Sequence, residues 1–223
     1  MTTITSLDPQ PGDPLDPKHG GELNGQAGID LDLAARHARA MLACLGIACE
    51  DEHTIRTPER FVRAMAEMTA GRHRDPHRFL DVTFPAEPTD PGMIVVTGVR
   101  FVSLCQHHLL PWAGTASVAY IPAPGARIVG LSKLARLVKE FAARPQIQER
   151  LGQQIVHAID TKLSTIGAAC VIRASHSCMN LRGAHAQGAH MVTTHVLGAF
   201  HDDPTVRAEF LSLTPTTQLD HNW

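Results

Sequence analysis

The chain has 223 residues, of which 43% are hydrophobic and 19% charged, which suffices for a globular core with or without a small helical lobe. The formal net charge of -2 excludes a general attraction to nucleic acid or acidic membranes, so any polyanion has to be bound by a local cluster of cations. No apolar run reaches the roughly 18 residues of a membrane span, and the N-terminus lacks the basic start and apolar stretch of a signal peptide.

The first 92 residues are predicted to contain a tail and a helical region. Residues 1–28 are rich in Pro, Gly and Asp, which predicts a disordered tail. In the N-terminal helical region, residues 29–92, an apolar stripe between Leu31 and Leu45 predicts a first helix. A second helix is predicted to begin at Thr57 and Pro58, with Thr57 as its N-cap. The proline-rich stretch 71–90 is predicted to be irregular.

Residues 93–214 are predicted to form the main domain, followed by a C-terminal tail, 215–223. Runs of β-branched residues indicate strands at 93–104 and 115–121 and a second pair at 168–177 and 190–200. Between the pairs lie two predicted helices, 132–142 and one beginning near Pro145, and a short helix at 204–213 ends the domain. The order β-β-α-α-β-β predicts an α+β fold with a mainly antiparallel sheet.

A metal site is predicted from the cysteines and histidines. Five cysteines in a chain without an export signal indicate free thiols or a metal site, and we expect a cytoplasmic protein. Cys105 and His108 are three residues apart at a turn, where both side chains can bind one ion. The period of a strand places His176 and Cys178 on one face, about 7 Å apart, which makes Cys178 the candidate third ligand.

Three protein ligands and an open position are typical of a catalytic zinc. The alternative is that Cys105 and Cys178 are core thiols and that His107 and His108 form a polar corner. Cys170 lies about 26 Å from the candidate site by the rise of a strand, and we interpret it as a core thiol.

A second group of residues is suited to a nucleotide. Ser132 is predicted as the N-cap of its helix, whose free N–H groups suit an anion. Lys133 and Arg136 share a face of the first turn, where they oppose the helix dipole unless an anion lies between them. The alternative is that both are solvated surface residues. Arg182 is a further candidate cation.

The second helix is predicted to carry Gln148 and Glu149 in its first turn. Glu149 stabilises the helix dipole there, which is a sufficient explanation by itself. A carboxylate can also accept paired hydrogen bonds from the N1–H and the exocyclic amine of guanine.

Together these segments resemble the GTP cyclohydrolase I family. The resemblance covers about residues 30–213 and rests on TPER at Thr57, CQHHLLPWAG at Cys105, VAYIP, VGLSKLARLVKEFAARPQIQERL, HSCMNLRG at His176 and the closing EFLSL. It implies the tunnelling fold and a homo-oligomer, a toroidal decamer with sites at subunit interfaces. It implies no nucleic-acid or membrane partner.

The resemblance also implies an activity and roles for individual residues. The implied reaction opens the guanine imidazole ring of GTP, releases formate and forms 7,8-dihydroneopterin triphosphate, the first step of folate or tetrahydropterin biosynthesis.

The Zn²⁺ ligands that the resemblance implies would be Cys105, His108 and Cys178. The catalytic histidines would be His107 and His176, the latter donating a proton to purine N7. The substrate-binding residues would be Gln148 and Glu149 for guanine, and Arg60, Ser132, Lys133, Arg136 and Arg182 for the ribose and triphosphate. Arg60 would serve a neighbouring subunit's site.

The sequence departs from the family's pattern at two places. Gln106 stands where the family usually has Glu, which removes a negative charge beside the metal ligands. The segment after Gly183 has Ala189 and Met191 in place of Ser and Thr. It also carries three unexpected histidines, which form either a second metal site or solvated or interface positions: His185, His190 and His195. Two alternatives therefore stay open, a paralogue of a specialised pathway that makes a pterin or deazapurine product, and a zinc-stabilised assembly subunit that binds nucleotide without turnover.

Overall fold

A computed structural model describes residues 29–86 and 92–215. The chain divides into two compact units, Met1–Glu67 and Met68–Trp223. The predicted tail 1–28 and all but the first residue of the tail 215–223 lie outside the described residues, so the predicted domain boundaries stay predictions. Within the two described ranges, every helix is too short or too polar to cross a membrane.

The first unit is helical. Helix α1, Leu31–Cys44, begins after Asp30, whose carboxylate caps the helix by accepting the Leu33 N–H at 2.8 Å. Helix α2, Thr57–Met68, follows. The Arg39 guanidinium holds the connection between the helices, since it donates to the carbonyls of Cys49 and Ile55 at 3.0 and 2.5 Å.

One prediction for the N-terminal region is confirmed in part and another is corrected. The first helix forms, and its apolar stripe is partly buried: Ala38 is buried and Leu42 half-buried, whereas Leu33 and Leu45 are exposed. The stretch 71–90 is not irregular throughout. Within its described part, Asp75 caps a 3-10 turn by accepting the His77 N–H at 2.9 Å, and a short strand follows.

The second unit contains seven strands and five helices among the described residues. The strands are β1 Thr83–Pro85, β2 Ile94–Cys105, β3 Pro111–Pro122, β4 Arg127–Val129, β5 Pro145–Gln146, β6 Thr165–His176 and β7 Met191–Gly198. The helices are α3 Leu131–Ala142, α4 Gln148–Leu163, α5 Ser177–Asn180, α6 Ala199–Asp202 and α7 Pro204–Leu213. Strands β1 and β4 pair with each other, and the other five form one sheet in the order β5-β2-β3-β6-β7.

This sheet is antiparallel except for the short β2–β5 pair. Helices α3 and α4 cover one face, where Leu137 and Ile155 pack with Val118 and Ile172 in the main core. On the other face, Phe200 and Phe210 form a smaller cluster with strand residues. The α+β class, the β-β-α-α-β-β order and the mainly antiparallel sheet are confirmed.

Two element ends differ from the predicted ones, and both lie at the candidate site. Strand β6 stops at His176, so Cys178 lies in the short helix α5 and not in the strand. The helix predicted near Pro145 begins at Gln148, because Pro145 and Gln146 pair with Leu104 and Cys105 of β2 as a parallel strand.

Gly114 allows β3 and β6 to approach closely. It pairs with Ala174, and a methyl group at Gly114 would lie 2.2 Å from the Arg173 carbonyl oxygen and 2.6 Å from the Ala174 Cβ. The nearest neighbour is backbone in a central strand pair, which cannot move aside. This glycine therefore fixes the contact between the two strands that carry Trp112 and His176.

We expect Gly114→Ala to lower the free energy of unfolding by about 3 kcal/mol, the upper end of the usual cost of overpacking. Urea denaturation followed by circular dichroism measures the change. The matched control is Thr115→Ala in the same strand, which should cost about 1 kcal/mol or less. Equal, small effects of the two substitutions would contradict the close contact at Gly114.

Candidate active site

Cys105 and His108 are positioned by the turn that follows β2. Cys105 is the last residue of the strand, and its N–H donates to the Leu110 carbonyl at 2.9 Å. The Leu109 N–H donates back to the Cys105 carbonyl at 2.8 Å, and Leu109 has a left-handed φ of 54°. The tight turn brings the His108 Nδ1 to 3.7 Å from the Cys105 Sγ.

Cys178 reaches the same place from the end of β6. The chain turns into α5 after His176, and the Ser177 hydroxyl donates to the Pro111 carbonyl at the start of β3. This contact fixes the short helix beside the turn that holds Cys105. The helical turn after β6 thus brings the Cys178 thiol, the third candidate ligand, to the other two.

The three candidate ligands form a group suited to a metal ion. One ligand atom from each of Cys105, His108 and Cys178 lies within 4.8 Å of the others. A tetrahedral zinc with bonds of about 2.0–2.3 Å keeps its ligand atoms roughly 3.4–3.8 Å apart, so a small contraction suffices. Burial and the neighbouring Cys105 thiol raise the pKa of Cys178, and a bound cation would act in the opposite direction. Two sulfurs and an imidazole nitrogen are the donor set that zinc prefers.

His176 is held beside this group by two contacts. Its ring stacks on Trp112, with centroids 4.6 Å apart and planes at 12°. Its Nε2 lies 2.9 Å from the Gln148 Oε1. Burial lowers the pKa of His176, and the Glu149 carboxylate partly offsets this effect. His107, predicted as the other catalytic histidine, is exposed with its Nδ1 3.9 Å from the Cys105 Sγ.

The hydrogen bonds of Gln148 determine which nitrogen of His176 carries the proton. The Gln148 Nε2 donates to the carbonyls of Ile172 and Met191, at 3.1 and 3.0 Å, and lies 3.3 Å from the Thr193 Oγ1. Carbonyl oxygens only accept, so the amide oxygen of Gln148 must face His176. The His176 Nε2 then donates, which leaves Nδ1 without a proton in the neutral ring and available for proton exchange.

Glu149 and Arg182 lie at the same end of the sheet. Glu149 follows Gln148 in the first turn of α4, and its carboxylate is exposed and close enough to influence both His176 and His195. The Arg182 Nη1 lies 3.3 Å from the His108 Nε2 and donates weakly to the Cys178 carbonyl at 3.4 Å. The structure thus brings a carboxylate and a cation to the candidate metal group.

Ser132 and Lys133 lie at the opposite end of the sheet within one chain. Val129, the last residue of β4 and two residues before α3, donates its N–H to the Tyr120 hydroxyl at 3.0 Å. Eight residues of extended strand, about 27 Å, separate Tyr120 from Trp112, which stacks on His176. Helix α3 therefore carries its N-terminal half, with Ser132, Lys133 and Arg136, away from the candidate metal group.

Ser132 and Arg60 are also among the residues predicted to bind the ribose and triphosphate. Ser132 is not the N-cap: α3 begins at Leu131 with Gly130 as the cap residue, and Ser132 is exposed inside the first turn. Its hydroxyl is therefore not needed for capping. Arg60 lies in α2 of the first unit, where its guanidinium donates to the His53 carbonyl at 3.3 Å.

Some residues of the site were missed by the sequence analysis. Trp112 was quoted only as part of a motif, although it is fully buried under His176. Gln148 was predicted to hold guanine, but its side chain is 1% exposed and engaged with β6, β7 and His176. No local pattern signals either contact, because each joins residues far apart in the chain. The histidines of the 184–195 segment were noticed, but the contacts of His195 under α4 were not.

Comparisons with known proteins identify relatives of this chain. The sequence profile of the family described as GTP cyclohydrolase I matches residues 34–215. GTP cyclohydrolase 1 of Rhodopirellula baltica is 44% identical over 185 residues, 83% of this chain and 79% of that protein. The protein of the same name from Dehalococcoides mccartyi strain 195 is 42% identical over 83% of this chain and 97% of its own length. That of Thermobifida fusca is 41% identical over 84% and 89%.

We expect the candidate ligands to bind one zinc per chain. Cys178→Ala and His108→Ala should each weaken zinc binding by more than the roughly 10–100-fold loss caused by removing an outer-shell partner. Metal analysis after dialysis and the thiolate absorption bands of the cobalt-substituted protein measure the change. Cys170→Ala is the matched control, since Cys170 is fully buried and paired with His195, and it should keep its metal. Equal metal content in all three variants would contradict the site.

Proposed function

The chain belongs to the GTP cyclohydrolase I family, and we propose that it hydrolyses the imidazole ring of the guanine of GTP in a zinc-dependent reaction. The products are formate and 7,8-dihydroneopterin triphosphate, with a net consumption of one water. The observation that carries the proposal is the convergence of Cys105, His108 and Cys178 within 4.8 Å, beside a histidine held in one orientation. We expect the protein to act in the cytoplasm, as predicted.

The proposed metal is zinc, held by Cys105, His108 and Cys178. Zinc held by these three ligands would supply a water nucleophile at neutral pH. Arg182, 3.3 Å from the His108 Nε2, adds a cation close to the bound anionic substrate. The replacement of the family's usual Glu by Gln106 leaves these donors in place, since Gln106 is exposed and its backbone N–H donates to the Gln146 carbonyl at 3.0 Å.

His176 is the proposed proton donor to the purine N7. Because its Nε2–H is bonded to the Gln148 Oε1, Nδ1 is the nitrogen that exchanges the proton: it takes up a proton from solvent, passes it to N7 and returns to the neutral tautomer. Stacking on Trp112 and the bond to Gln148 hold the ring in one orientation through the reaction. His107 is proposed as the second proton-transfer group.

The base subsite is proposed at the first turn of α4. The exposed Glu149 carboxylate accepts hydrogen bonds from the N1–H and the 2-amino group of guanine. Gln148 is proposed to act through His176, since its amide is buried and already engaged. This revises the predicted direct contact of Gln148 with the base.

The triphosphate residues are proposed to come from a second copy of the chain. Ser132 and Lys133 begin α3, whose C-terminal end lies near the metal group, because the carbonyl of Arg144 accepts from the Ser103 hydroxyl at 3.1 Å. The rise of the helix from Ser132 to Arg144 is about 18 Å. When guanine binds at Glu149, Ser132 and Lys133 of a neighbouring subunit reach the triphosphate more readily than those of the same chain. This supports the predicted oligomer with shared sites, whose decameric size and contribution from Arg60 stay predictions.

We expect the zinc-loaded protein to convert GTP into equal amounts of formate and of fluorescent pterin, measured after oxidation. Cys178→Ala should lose the activity, because it lacks a metal ligand, while Cys170→Ala should keep it. Formate without pterin would indicate the specialised paralogue. GTP binding with neither product would indicate the inactive assembly subunit.

Mixing variants tests whether the site is shared between copies. We expect Cys178→Ala and Lys133→Ala to be inactive separately and to regain about a quarter of the wild-type activity when co-expressed, because random mixing pairs intact halves at that frequency. The matched control co-expresses Cys178→Ala with Cys105→Ala, which damage the same half and should regain nothing. A first mixture as inactive as the control would argue for a site built within one chain.

A further inference from the structure

His195 lies beneath the first two turns of α4. It pairs with Cys170 across β6 and β7, so both side chains lie on the same side of the sheet. His176, six residues after Cys170 in β6, faces that side as well. A methyl group at Gly152 of α4 would lie 2.3 Å from the His195 Cδ2 and 2.9 Å from its Nε2. Gly152 therefore makes the room in which the imidazole ring packs directly against the helix backbone.

The polar atoms of His195 are not explained by the fold. Its Nε2 is buried and has no hydrogen-bond partner among the described residues. A buried nitrogen without a partner destabilises a protein, and an apolar side chain would fill the same space without that cost. The facing Cys170 thiol is neutral, since burial raises its pKa to about 12. Burial lowers the pKa of His195, and the Glu149 carboxylate raises it.

Glu149 connects this histidine with the candidate active site. It lies in the first turn of α4, between Gln148, which bonds His176 of β6, and Gly152, which packs on His195 of β7. Gln148 fixes the helix on the His176 side, through its bonds to His176 and to the Met191 carbonyl. His195, in contact with Gly152, supports the next turn. The Glu149 carboxylate, which is proposed to bind guanine, thus lies between Gln148, which bonds His176, and Gly152, which packs on His195.

We propose that His195 is a positioning residue of the base subsite, which holds the Glu149 carboxylate against the N1–H and 2-amino edge of guanine by packing under Gly152, one turn further along α4. The inference rests on the proposed function. It assigns a role to a histidine that neither the metal group nor the proton transfers use.

Positioning of Glu149 has a consequence for specificity. The 2-amino group distinguishes GTP from inosine triphosphate, which lacks it, and a site built to bond this group rejects the analogue. When the carboxylate is no longer held, GTP loses the hydrogen bonds of both its N1–H and its 2-amino group. Inosine triphosphate loses only the N1–H bond, so its affinity falls less. A general loss of folding or of metal would lower the turnover of both nucleotides alike.

The test compares kcat and KM for the two nucleotides in the zinc-loaded full-length protein. We expect His195→Ala to raise the KM for GTP about tenfold with little change in kcat, and to lower the preference for GTP over inosine triphosphate about tenfold. The matched control is His157→Ala, an exposed histidine of α4, which should leave the KM for GTP and the nucleotide preference unchanged. Gly152→Ala is the second variant. Its methyl group displaces the ring, and it should also lower the preference.

The Glu149→Gln background shows whether His195 acts through the carboxylate. We expect His195→Ala to lower the preference no further when Glu149 is already replaced, because the two residues act on one contact. An equal fall for both nucleotides, an unchanged preference, or an undiminished effect in the Glu149→Gln background would overturn the inference while leaving the proposed function intact. A wild-type protein that turns over neither nucleotide would overturn both.

Discussion

The pairing of β3 with β6 is the constraint on which the candidate site depends. Its register places Trp112 opposite His176 and Gly114 opposite Ala174. Because Gly114 has no side chain, the two strands approach closely, and the Trp112 ring stacks on the His176 imidazole at their ends. The β2–β3 connection lies at the same end of these strands, so Cys105 meets the segment that follows β6. A sheet thus brings together segments that lie about 70 residues apart in the sequence.

The first turn of α4 also organises the end of the sheet at which the candidate site lies. Gln148 uses a buried amide to bond two strands and one histidine at once. This buried network is fully engaged, and such networks hold one arrangement because any rearrangement leaves a polar group without a partner. The neighbouring Glu149 remains exposed, where a ligand can reach it. Binding and support are therefore divided between adjacent residues of one helix.

The length of α3 has a consequence for assembly. The helix carries Ser132 and Lys133 to one end of the sheet, while the candidate metal ligands and the start of α4 lie at the other. Cations at a helix N-terminus oppose the dipole, and an anionic ligand compensates for this cost. This separation supports the proposed oligomer, in which each copy would complete the site of another.

The sequence by itself determined the α+β class, the order of the elements and the family, because these depend on local periodicity, turn residues and contiguous motifs. It also identified the group of Cys105, His108 and Cys178. The tertiary structure decided how that group forms: Cys178 reaches it from a helical turn and not along a strand. It likewise decided that Gln148 supports His176 and that His195 packs under Gly152. These contacts join strands and helices that are distant in the chain, and no local pattern encodes which side chains will meet when the sheet forms.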